Sequence, residues 1–161
     1  MPKKRHVSYT RPLCANAQIM REMDFIEQFN LTGDGNGFWD SYDKTENWLG
    51  ENLQISIAVR NINEYIPTLL QKMLENQEKY DNKWKSFIAE NLQDELKIEW
   101  EKDLDKEYII NELGLTNITF GYEDKKVADY CIYFRPKNIS CEHGITLYGN
   151  KKGEILKVFA E

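Results

Sequence analysis

Hydrophobic positions change their spacing several times along this chain, and each change marks an element. From Ala15 to Asn30, Ile19, Met23, Ile26 and Phe29 recur at three- and four-residue steps, which predicts an amphipathic helix. The segment Leu31-Thr32-Gly33-Asp34-Gly35-Asn36-Gly37 ends it, because glycines and small polar residues favour turns. Extended chain is predicted next. Phe38 to Tyr42 forms one strand, Asp43 to Asn47 a polar turn, and Leu53, Ile55, Ile57 and Val59, alternating with polar or small residues, a second strand with one buried face.

The middle returns to helical spacing. Ile66, Leu69, Leu70, Met73 and Leu74 make one stripe; after Tyr80-Asp81-Asn82, a second runs through Trp84, Phe87, Ile88, Leu92 and Leu96. These two predict a helical hairpin. Pro67 lacks an N–H and belongs in a first turn, which starts the earlier helix near Asn63 or Glu64. Asp105 is placed to cap a third helix covering Tyr108 to Leu113 and stopping at Gly114. Strand patterns then occupy Leu115 to Tyr122, Val127 to Arg135, Gly144 to Tyr148 and Ile155 to Phe159. Segregated runs of strands and helices predict an α+β fold. Its sheet is mainly antiparallel, an N-terminal hairpin plus a C-terminal four-strand meander, packed on one side by the helical hairpin and further helices. Residues 1–14 read as a flexible tail and 15–161 as a single domain.

Composition narrows the function classes. A chain of 161 residues, 41% hydrophobic and rich in aromatics, can bury a sizeable core. Its formal net charge of -6 argues against nucleic acid and anionic membranes as partners, since binding phosphate requires clustered Lys and Arg. Lys3-Lys4-Arg5 is the one basic run, and it reads as solvated tail. No apolar stretch reaches the roughly 18 residues of a membrane span and no signal peptide opens the chain, so the expected location is cytoplasmic. Cys14, Cys131 and Cys141 lack C-x-x-C spacing and are expected as free thiols.

Candidate chemistry is sparse. Cys141, Glu142 and His143 fall together, and in extended chain Cys141 and His143 share a face, so a thiolate–imidazole pair is geometrically conceivable. Glu142 points away from His143 in the same geometry, and no orienting group or oxyanion hole is identifiable. The plainer reading makes Gly144 a strand entry and His143 a hydrogen-bonded residue at the sheet edge. The other histidine, His6, lies in the tail, which argues against a metal site. Asp34-Gly35-Asn36-Gly37 is similar to the opening of a calcium loop, but Phe38 and Thr45 stand where ligands are needed, leaving a turn. The glycines at 33, 35 and 37 precede a strand and no Gly-Lys-Ser follows, so no nucleotide cofactor is expected.

Acidic residues crowd the region from Glu90 to Asp105, including Glu95, Glu99 and Asp103, with Lys97 and Lys102 interleaved. They read as a solvated helix face able to dock a basic protein. Alternation sends Phe38 and Trp39 to opposite faces of a strand, which makes Trp39 a candidate interface anchor.

Three groups of residues carry a resemblance: Phe38-Trp39-Asp40-Ser41-Tyr42 with Trp48-Leu49-Gly50, the strand Leu115 to Phe120, and Cys141-Glu142-His143-Gly144-Ile145. From about Gly37 to Glu161 the chain resembles bacterial domains of unknown function with an early aromatic hairpin, a helical middle and a closing Glu-His-Gly strand. Asn138-Ile139-Ser140-Cys141 departs from the acidic or aromatic stretch usual before that tripeptide. The resemblance implies no established activity, and some relatives of this look read as immunity proteins of toxin systems. The leading expectation is a non-enzymatic protein-binding module such as an immunity-type inhibitor. The alternative is a small enzyme using His143 with Cys141 or Glu142, and a third reading is self-association.

Overall fold

A computed structural model describes residues 24–33, 40–58, 62–121 and 128–161. Among these residues seven strands form one sheet in chain order: β1 (Asn30–Thr32), β2 (Ser41–Trp48), β3 (Glu51–Ala58), β4 (Leu113–Phe120), β5 (Tyr130–Pro136), β6 (Ile145–Gly149) and β7 (Ile155–Ala160). Three helices, α1 (Tyr65–Glu75), α2 (Gln77–Glu99) and α3 (Lys106–Glu112), lie between β3 and β4. Neighbouring strands are antiparallel except β3 and β4, which pair in parallel from Gln54–Asn117 to Ile57–Phe120. A parallel pair needs a long crossover, and the three helices supply it. The early hairpin and the closing four-strand meander thereby join into one α+β sheet.

Alternation sorts the sheet into two faces. Leu53, Ile55 and Ile57 of β3, Ile118 and Phe120 of β4, Tyr130, Ile132 and Phe134 of β5, and Ile145 and Leu147 of β6 are buried together. A bulge between Leu115 and Asn117 lets β4 bury Leu113 and Leu115 as well, since one extra residue shifts the phase of alternation. Onto this face pack Ile66, Leu69, Leu70 and Met73 of α1, Trp84, Ile88, Leu92 and Leu96 of α2, and Ile109 of α3. Gly149 is dictated here by close approach: a Cβ would lie 2.0 Å from Cζ of Tyr130, whose ring occupies that space.

Several boundaries correct the expectations from pattern. The predicted turn Asp43 to Asn47 is strand, and the hairpin reverses at Leu49–Gly50, both with positive φ (52° and 92°). That pair of conformations suits a two-residue turn between twisted strands, and Asn47 steadies it by accepting from Gly50 N–H at 3.2 Å. A leucine at the first turn position hid the signal. The first helix was expected to run to Asn30, yet helical backbone ends at residue 26 and Asn30–Thr32 pairs with β2; its earlier part lies outside the described residues. The Thr32 hydroxyl donates to Asp43 at 2.6 Å, anchoring this short edge.

Pro67 does sit in the first turn of α1, where its missing N–H has no intrahelical role. The break between α1 and α2 comes at Asn76, before the expected Tyr80-Asp81-Asn82. A single residue links the two helices, and its side-chain Nδ2 donates to the Lys72 carbonyl at 2.9 Å. Asp105 caps α3 through the Tyr108 N–H at 2.7 Å, as its position predicts. That helix ends at Glu112 instead of Gly114, because Leu113 is buried and already paired with Pro136. The tail 1–14 and the turn at 123–126 lie outside the described residues.

Candidate functional site

The acids Asp81 and Glu112 are buried. Asp81, on the inward face of α2, accepts a hydrogen bond from Trp48 Nε1 at 3.1 Å and pairs with Lys85 Nζ at 2.7 Å. Trp48 stacks on Trp84 with centroids 5.4 Å apart. Through Trp48, these contacts fasten the β2–β3 hairpin to the helix layer. Buried charge is tolerated there because both partners and a further donor are present.

Glu112 ends α3 and receives the backbone N–H of Asn138 and of Ile139 (3.0 Å) and the Asn138 side-chain amide (3.1 Å). Burial works to raise its pKa, but these donors and the Lys102 ammonium outweigh it and hold the carboxyl below its ordinary value. This clamp fixes the loop from β5 toward Cys141, Glu142 and His143.

That loop does not assemble the expected trio. The Cys141 thiol donates to the backbone carbonyl of His143 at 3.0 Å. The His143 imidazole is 58% exposed and turns toward α2, with Nε2 4.0 Å from the Glu99 carboxylate. Glu142 points the other way, into a groove of about 620 Å³ on the sheet face opposite the helices. Residues 141–144 precede β6 with a bend at Glu142, and the two side chains diverge there. Gly144 enters β6 by exchanging both main-chain bonds with Glu161. Among the described residues, no group of three or more His, Cys, Asp or Glu converges in metal-binding geometry.

The groove is lined by Thr116, Asn117, Tyr133, Arg135, Glu142 and Glu161, among others. It offers a guanidinium, two carboxylates and a phenol, a set suited to holding polar or charged groups. Burial is the main cause that raises the Tyr133 pKa, with the Cys131 thiol adding to it and the Thr119 side chain opposing it, so the phenol stays protonated at neutral pH. Sequence reasoning missed this groove, although alternation in β5 contained the signal: Cys131, Tyr133 and Arg135 face opposite to Tyr130, Ile132 and Phe134. Beside it, Tyr148 and Phe159 meet edge to face at 5.9 Å, and Lys157 Nζ lies 5.2 Å from each ring.

The acidic candidates lie elsewhere, at the C-terminal end of α2. Glu95 and Glu99 are exposed, and Asp103, 99% exposed, is 3.4 Å from Lys97. Ile98, between the two glutamates, is 78% exposed. Nearby on α3, Tyr108 is also exposed, and Lys102 lies over its ring and donates to its hydroxyl at 3.2 Å. Trp39 falls outside the described residues. No helix among the described residues is long and apolar enough to cross a membrane.

With the geometry established, comparison adds a family without an activity. The profile of DUF2262, an uncharacterised protein conserved in bacteria, matches residues 30–158. No curated protein and no solved structure matches the chain.

Proposed function

The chain belongs to the DUF2262 family, and from that premise we propose that it is a non-enzymatic protein-binding module, an inhibitor of the immunity type that silences a basic protein by occupying it. The supporting observation is Ile98, a large apolar side chain left 78% exposed on a helix end crowded with carboxylates. Asp94 and Glu95 lie one turn before it and Glu99 beside it, with Glu101 and Asp103 following. An apolar centre within a charged rim is the anatomy of an interface in which desolvation supplies affinity and charge supplies steering. The sign of the rim selects a partner rich in Lys and Arg.

The test is native purification of the full chain from its own cells, beside an Ile98→Asp chain and a Glu95→Lys/Glu99→Lys chain. The expected result is one stoichiometric basic protein bound to the unaltered chain and absent from both variants, with binding weakened by salt. Recovery of the same proteins by all three chains would refute docking at this surface.

A further inference from the structure

Among the described residues strand β7 ends the sheet, and the phase of its hydrogen bonding is fixed. Gly144 and Glu161 exchange both main-chain bonds, at 2.7 and 2.9 Å. The register from Ile145–Ala160 to Tyr148–Lys157 is continuous with that pair. In an antiparallel ladder bonded and non-bonded pairs alternate. Phe159 and Lys157 therefore bond inward to Thr146 and Tyr148, whereas the N–H and C=O groups of Val158 and Ala160 point outward from the sheet. Among the described residues no partner meets them.

An open edge is a template for another strand. The segment Lys157-Val158-Phe159-Ala160-Glu161 is complementary to its own reverse. Antiparallel pairing of two copies about a two-fold axis through Phe159 sets Val158 opposite the second copy's Ala160, and each such pair can exchange both main-chain bonds. The same register sets Lys157 opposite the second copy's Glu161 and Phe159 opposite its own equivalent, all on the face away from the helices. Glu161 lines the groove on that face and Lys157 reaches over the Phe159 ring, so charges and ring already share one side. Phe159 is 44% exposed and Leu156, the extra residue in the β7 bulge, 48%. A shift in which Val158 or Ala160 meets its own equivalent loses both the charge pairing and the ring contact.

We propose that β7 is a self-association edge, where two copies of this chain pair antiparallel about Phe159 and continue one sheet through both. The interface is isologous, so each Lys157–Glu161 contact occurs twice. A change of sign at either residue acts on both contacts at once.

The experiment is sedimentation equilibrium of the full chain over a concentration series at low salt, with Lys157→Glu, Glu161→Lys and the double exchange. The unaltered chain is expected to pass from monomer to dimer mass. Each single reversal places like charges opposite each other twice and should weaken association about tenfold or more, and the double exchange should restore it. Circular dichroism establishes that each variant is folded, as exposed side chains at an edge permit. A chain that stays monomeric into the millimolar range overturns the proposal. So does a dimer that neither single reversal weakens, or one that the double exchange fails to restore, because the register demands both responses. Loss of partner binding at the acidic end of α2 leaves these masses unchanged, so the two proposals fail separately.

Discussion

Asp81 and Glu112 on one side, Glu95 and Glu99 on the other, are carboxylates of one acidic chain with opposite uses. The first two are buried, and their oxygens are occupied by the Trp48 indole, Lys85, and the amides of Asn138 and Ile139. The second two stand exposed at the end of α2, where among the described residues Glu99 makes one distant side-chain contact, to His143. The difference teaches that proximity of acids in sequence says little about their role. What decides it is whether the fold supplies donors. A buried carboxylate with its donors is an anchor, whereas an exposed one without them is available to a partner.

That contrast can be broken by substitution. The largest effect is expected at Asp81, where Asp81→Ala leaves the Trp48 N–H buried without its acceptor and the half-buried Lys85 ammonium without its partner. Urea unfolding should show a loss of about 3–5 kcal/mol. An Asp81→Ala chain within 0.5 kcal/mol of the unaltered one, about the scatter of surface substitutions, would place Asp81 with the exposed acids.

A smaller loss, about 1–3 kcal/mol, is expected for Glu112→Ala, which strips the acceptor from the Asn138 and Ile139 amides. This residue also carries a pH signature. Its folded pKa lies below the ordinary glutamate value, so folding favours the charged form. Its contribution is complete above the unfolded pKa and is lost as pH falls through the folded one. Glu112→Gln should therefore flatten the acid limb of stability against pH, and an unchanged limb would refute the assignment.

The smallest effect sharpens the comparison from the other side. Glu95→Gln with Glu99→Gln should move stability by no more than about 0.5 kcal/mol, as surface changes do, and weaken the proposed basic partner. A large loss of stability there would show these acids to be structural.

How much was legible follows from which interactions are local. The cap at Asp105, the place of Pro67 and the alternation of Leu53, Ile55 and Ile57 depend on neighbours a few residues apart, so spacing alone reported them. The hairpin turn was misplaced because Leu49 carries no turn signature, and the polar run Asp43 to Asn47 imitates one. The candidate site was less legible. Adjacency suggested Cys141, Glu142 and His143, yet around the bend at residue 142 Glu142 lines the groove while His143 turns toward Glu99. The groove draws Asn117 from β4, Tyr133 and Arg135 from β5 and Glu161 from just past β7, which only register brings together.

By itself, then, the sequence determined the α+β class, the succession of elements from β2 onward and the net acidity of the chain. Each follows from periodicity or from a sum over residues, and neither needs contacts between distant parts. Tertiary structure alone decided the parallel join of β3 to β4, the donors that make Asp81 and Glu112 anchors, and the hydrogen-bonding phase that leaves Val158 and Ala160 facing outward. Those depend on which strands become neighbours and in what register, and a change of one residue in pairing would turn every side chain to the other face.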